Sequence, residues 1–197
     1  MKKAIVTLLL SLLLVLLAAC GNSGPDIETN MSKDIPEFTY TSQEDEDFGS
    51  ADLEGKWWVA DFVFTNCTTA CIPMTSNMAL LQDMTKEEGI VDGLHFVSFS
   101  VDPDYDTPEV LTEYAEDYDV DLENWTFLTG YDFETIKEFS IKNFQNMVNE
   151  PMGDDQVIHG TKFFLVNPEG EAVKSYDGMS GQEMDLILED LQEIFKD

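Results

Sequence analysis

The chain is poor in positive charge, in cysteine and in histidine. Lys and Arg together number 10 against 40 Asp and Glu in 197 residues, giving a formal net charge of −30. That balance excludes nucleic-acid binding, because phosphate recognition needs clustered Lys and Arg. It also excludes attachment to an anionic bilayer through a basic patch. With only 3 Cys and 2 His, each candidate for soft-metal or redox chemistry can be weighed singly: Cys20, Cys67, Cys71, His95 and His159. No internal repeat and no second domain boundary is visible, and the length suits one domain with a sizeable core. Apolar content is ample. At 43% hydrophobic and 11% aromatic residues, the chain is too rich for a disordered acidic tail, and its charge favours a soluble, self-repelling surface.

Residues 4–17 form an apolar run too short for a comfortable membrane span. The run follows Met1-Lys2-Lys3 and ends in Leu17-Ala18-Ala19-Cys20. A basic start, a short apolar stretch and small residues before a cut read as a secretory signal, and a Cys at the cut reads as a bacterial lipoprotein signal. Residues 1–19 are therefore expected to be the signal peptide, with Cys20 the lipidated first residue. Residues 20–34 are expected to be a flexible tether rich in Gly, Asn, Ser and Pro, and residues 35–197 the folded domain. Acyl chains on Cys20 would hold the protein on the extracytoplasmic face of the bacterial cell membrane. Cys67 and Cys71 are then the only thiols left, in a compartment where disulfides persist.

Residues 56–65 are nearly all apolar and β-rich, as a buried central strand should be. A helix is expected over about 73–88, with Met74, Met78, Leu81 and Met84 on one face, and a second strand over 94–101. Thr107 and Pro108 cap and open a helix reaching to about 118. A strand at 125–128 and a helix at 132–144 follow, the latter with Phe133, Ile136 and residues 139–141 as its apolar side. A loop at 149–156 precedes a hairpin of 163–166 and 172–176, turned by Asn167-Pro168-Glu169-Gly170. A closing helix spans 182–195, with Met184, Ile187, Leu188, Leu191 and Ile194 inward. This order fits an α/β fold: a mixed central sheet with flanking helices and a C-terminal hairpin plus helix, in the thioredoxin pattern.

Cys67 and Cys71 sit where a central strand hands over to a helix, the edge at which open α/β folds bind ligands. Backbone N–H groups and the helix dipole there favour thiolate over thiol. The four-residue separation places both sulfurs on one side of a helical turn, within disulfide range. A disulfide closing so short a loop would add little as a staple, which leaves redox cycling or soft-metal binding. In a thioredoxin-type chain the loop before the hairpin faces this helix start, so His159 is the candidate third ligand. Two thiolates and an imidazole suit copper as Cu(I) or Cu(II); zinc uses the same donors but normally takes a fourth. Met147 and Met152, in the loop near His159, are further soft groups within possible reach of Cu(I). His95, opening the strand at 95–99, is expected at its edge and is assigned no role.

Taken together, these segments resemble the Sco/SenC family of copper proteins over about residues 35–195. The matching pieces are Asp61-Phe62-Val63-Phe64-Thr65-Asn66-Cys67, Cys71 with Met74-Thr75, and Phe99-Ser100-Val101-Asp102-Pro103 with Asp106-Thr107-Pro108. Val157-Ile158-His159 and Phe164-Leu165-Val166-Asn167-Pro168-Glu169-Gly170 complete the set. The resemblance implies a thioredoxin-like fold, membrane attachment, and copper held by two Cys and one His, which map to Cys67, Cys71 and His159. It implies a role in assembling the dinuclear copper site (CuA) of cytochrome c oxidase subunit II, by copper delivery, by reduction of that site's cysteines, or both. Other copper chaperones or thiol–disulfide reductants would be further partners. The alternative is a thiol–disulfide oxidoreductase acting on extracytoplasmic protein disulfides through Cys67 and Cys71, without an obligatory metal. The chain departs from the family where many members place Pro after each motif Cys, having Thr68 and Ile72 with Pro73 one place later. It departs again around the His, with Ile158 and Gly160 where many members have Asp and Ser.

Overall fold

The computed structural model describes residues 25, 27–150 and 156–196. The expected signal, Cys20 and residues 21–24 and 26 of the expected tether lie outside the described residues. Among the described residues are ten strands and four α-helices, with a single 3-10 turn at Ser50–Leu53: β1 (Lys33–Asp34), β2 (Thr39–Ser42), β3 (Asp47–Gly49), β4 (Trp57–Val63), α1 (Cys71–Glu87), β5 (Leu94–Ser100), α2 (Pro108–Asp117), β6 (Trp125–Thr129), α3 (Phe133–Phe144), β7 (Val148–Asn149), β8 (Ile158–His159), β9 (Lys162–Val166), β10 (Glu171–Asp177) and α4 (Gly181–Ile194). Eight strands form one sheet in the order β1-β10-β9-β4-β5-β6-β2-β3, and β7 and β8 pair as a separate ribbon. β4, β5 and β6 run parallel, and the strands outside them join antiparallel. The mixed sheet, covering helices, terminal hairpin and closing helix are those expected from the sequence. Among the described residues no helix is long and apolar enough to cross a membrane.

The sheet separates two apolar cores. On one side Met74, Met78 and Leu81 of α1, Leu111 and Ala115 of α2, and Met184, Ile187 and Leu191 of α4 pack with Val59, Phe96 and Trp125. On the other, Ile136, Phe139 and Phe144 of α3 pack with Trp58, Ala60, Phe62 and Phe99. β4 and β5 are buried from both sides, which is why they read as mostly apolar runs, interrupted by Asp61 in β4 and by His95, Ser98 and Ser100 in β5. Within α3, Ile141 is 43% exposed and Phe144 is buried in its stead. Two further differences from expectation bear on the site. α1 begins at Cys71 rather than Pro73, since Pro is tolerated in a first turn where its N–H would be unpaired. β1 falls inside the stretch expected to be tether. The Asn30 and Met31 amides both donate to the Val173 carbonyl at 3.2 Å, and Lys33–Asp34 pairs with β10.

Candidate metal centre

β4 ends at Val63, and the chain leaves the sheet through residues 64–70 before α1 starts. The helix dipole and the unpaired N–H groups of a first turn attract negative charge. Here the attraction is met by sulfur, because the Cys71 amide donates to Cys67 Sγ at 3.3 Å. The two cysteines therefore do not share a helical turn as the spacing suggested. Cys67 lies in the turn ahead of the helix, its amide donating to the Phe64 carbonyl at 3.3 Å, and its sulfur receives the helix N-terminus. Both are free thiols, 8% and 1% exposed.

The third group comes from β8. His159 pairs with Val148 of β7 in the small ribbon, which carries the imidazole outside the main sheet and over the start of α1. Its Nε2 lies 3.2 Å from Cys71 Sγ, and its ring stands edge-on to Phe64 at 5.6 Å. Nδ1 lies 2.9 Å from the Gly160 carbonyl. A carbonyl only accepts, so Nδ1 carries a proton, and Nε2 is the ring nitrogen turned towards the sulfurs. Ligand atoms of Cys67, Cys71 and His159 all lie within 4.8 Å of one another. Metal–donor bonds of about 2.0–2.3 Å put the donors of a trigonal ion about 3.5–4 Å apart, so this set fits a small soft cation with little movement. Among the described residues no fourth Cys, His, Asp or Glu joins the group. Met147 is 52% exposed, Met152 lies outside the described residues, and His95 is buried elsewhere.

The protons are divided unequally. Cys67 is drawn down to about 3 by the hydrogen bond from Cys71, with His159 and the backbone of Thr69 and Cys71 adding to it against burial. Cys71 is pushed up, as the proton donor of the pair and by burial. The resting pair thus holds one thiolate on Cys67 and one thiol on Cys71, titrating as a unit. Below the site, Asp61 of β4 lies opposite Ser98 in register with zero exposure. Neither of its carboxylate oxygens has a hydrogen-bond partner among the described residues. Burial raises it to about 7, with Ser98 and His159 opposing.

Side chains that hold the site escaped the sequence reading. Gln156 spans both of its halves: its Nε2 donates to the Asn66 carbonyl at 2.9 Å and its Oε1 accepts from the Thr68 amide at 3.2 Å. It is separated from them by 88 to 90 positions, and no local pattern marks such a contact. Gly160, a departure from the family, is explained by space. A Cβ there would collide with the side chain of Asn146, which is buried and bonded to Ser140.

Residues 28–196 match the family model described as SCO1/SenC. A crystal structure of a SCO1/SenC family lipoprotein from Bacillus anthracis is 45% identical, with a TM-score of 0.79, covering 85% of this chain and 99% of that one. BsSco, described as a member of the Sco family of cytochrome c oxidase assembly proteins with a disulfide switch, is 40% identical. Its TM-score is 0.77, over 85% of this chain and 96% of that one. Yeast Sco1 with copper bound is 26% identical, TM-score 0.63, over 80% and 87% respectively.

Proposed function

The chain belongs to the SCO1/SenC family, and on that footing we propose that it is a membrane-anchored, extracytoplasmic copper-binding protein. It assists assembly of the CuA centre of cytochrome c oxidase, delivering copper to subunit II, reducing that site's cysteines, or doing both in turn. The observation that carries this reading is the convergence of two sulfurs and one oriented imidazole nitrogen within 4.8 Å. Thiolates hold Cu(I), and the imidazole accommodates Cu(II). Three donors, with no fourth Cys, His, Asp or Glu among the described residues, favour copper over zinc. They also leave one side of the ion open to an incoming thiolate of the acceptor, so copper passes by ligand exchange. Relatives support each part: one is a lipoprotein, one is an oxidase assembly protein and one binds copper. Cys20 is the proposed anchor.

The asymmetry of the thiols favours a second activity at the same site. The Cys67 thiolate attacks one sulfur of a target disulfide and expels the other as thiolate. Cys71 then gives up its proton and attacks the Cys67 sulfur. The chain is left with a Cys67–Cys71 disulfide and the target with two thiols, so two electrons pass to the target. This chemistry needs no His159, and the two roles separate there. In cells lacking the protein and grown at low copper, CuA absorption of the oxidase should fall and be restored by the wild type but not by His159→Ala. Restoration by His159→Ala would assign the function to the dithiol alone, and an unchanged oxidase without the protein would remove the assembly role.

A further inference from the structure

A buried carboxylate holds the loop that presents Cys67. Asp106, in the turn between β5 and α2, has zero exposure. Its oxygens accept from the Thr65 hydroxyl at 2.6 Å, from the Thr65 amide at 3.3 Å each, and from the Ser100 hydroxyl at 2.5 Å. The carboxylate is itself fixed from behind. The Asp106 amide donates to the Asp102 carbonyl at 2.9 Å, and the Asp102 amide donates to Ser100 Oγ at 3.1 Å. The Tyr131 hydroxyl lies against the carbonyls of Ser100 and Leu128 at 2.9 and 2.7 Å. One carboxylate thus takes the end of β5 through Ser100 and the loop after β4 through Thr65, while Tyr131 ties the end of β5 to that of β6.

Thr65 is where the chain leaves β4, two residues before Cys67. Both its backbone N–H and its hydroxyl are committed to Asp106. On the far side the same loop is met by Gln156. We propose that Asp106 is a positioning residue for the metal centre: through Thr65 it sets the exit of the loop from β4, and so the reach of the Cys67 sulfur towards Cys71 and His159. The proposal rests on the reading of those three as ligands. Its two contacts separate site from scaffold, since the bond to Thr65 governs the loop while the bond to Ser100 governs the end of β5.

Three substitutions in the full chain divide the roles. Thr65→Val removes one donor at nearly constant volume, Asp106→Asn turns part of the acceptor into a donor, and Ser100→Ala breaks only the scaffold contact. Thr65→Val and Asp106→Asn are each expected to weaken copper affinity about tenfold, as changes behind metal ligands do, and to shift the thiolate-to-Cu(II) absorption band. Ser100→Ala should lower thermal stability comparably and leave affinity and band unchanged. Asp106→Asn on the Thr65→Val background should add less than it does alone, because the hydroxyl part of the link between Thr65 and Asp106 is already gone. A metal-free reading is the alkylation of Cys67 by iodoacetamide, expected about threefold faster in Thr65→Val and Asp106→Asn but not in Ser100→Ala. If Thr65→Val and Asp106→Asn behave as Ser100→Ala in affinity, band and alkylation, or if their effects add in full, the proposal is overturned. Should Asp106→Asn fail to fold, Thr65→Val decides it alone. Should the wild type bind no copper, the ligand reading fails, and alkylation then supports or overturns the positioning role by itself.

Discussion

The two histidines occupy opposite kinds of site, and the difference shows what makes an imidazole available. His95 lies in β5, 7% exposed, its ring stacked on Phe48 at 5.3 Å and its Nε2 2.9 Å from Thr126 Oγ1. Burial draws it down to about 4, with Lys56 adding and Asp52 opposing. The main sheet closes this ring in on its own neighbours. His159 is carried by a two-residue strand outside that sheet, so one nitrogen binds the adjacent backbone and the other faces a sulfur from a different element. Availability follows from the second nitrogen having nothing of its own element to meet. Among the described residues the two fully buried acids differ in the same way: Asp106 accepts from Thr65 and Ser100, whereas neither oxygen of Asp61 has a partner at hydrogen-bonding distance, Ser98 being only a neighbour across the strands.

The sharpest way to break the histidine contrast is at the ligands. His159→Ala and Cys67→Ser should each lower copper affinity by more than about a hundredfold, beyond the usual cost of changes behind the ligands. His95→Asn should leave it within about twofold. Competition with a chelator of known affinity measures both, and an equal loss in His95→Asn would erase the distinction.

The next largest effects are in pH dependence. Asp61 has its pKa raised from 3.8 to about 7, so the folded chain keeps a proton that the unfolded chain has lost. Its contribution is present at low pH and fades as pH rises from about 4 to 7, by up to about 4 kcal/mol. His95 runs the other way. Its folded pKa falls from 6.5 to about 4, so its contribution is full above the unfolded value and is lost as pH falls through this window, by up to about 3 kcal/mol. Relative to wild type, denaturation midpoints of Asp61→Asn should gain as pH rises, and those of His95→Asn should gain as pH falls. Superimposable curves would show that neither group titrates as its burial implies. The smallest effect belongs to Gln156→Ala, which loses the partly solvated hydrogen bonds to Asn66 and Thr68 across the site. It should weaken copper binding about fivefold, or roughly 1 kcal/mol.

The elements that position the site were mostly legible, because residues 56–65 and 94–101 are mostly apolar and β-rich and the turn at 167–170 has strong turn chemistry. The edges were not. β1, β2 and β3 are short, partly exposed and polar, and what holds them is pairing with distant strands rather than any local propensity. At the site, the spacing of Cys67 and Cys71 and the place of His159 before the hairpin were readable, yet the turn ahead of α1 was mistaken for helix. The grips of Asp106 and Gln156 join residues 41 and 88 to 90 positions apart. Sequence periodicity carries no trace of contacts at that range. The resemblance had included Asp106 without giving it work to do.

X-ray absorption of the copper-loaded protein tests the account most directly. Two sulfur scatterers at about 2.2–2.3 Å and one imidazole nitrogen at about 2.0 Å are expected, with the nitrogen shell lost in His159→Ala. A copper environment without sulfur, or one that keeps its imidazole when His159 is removed, would contradict it.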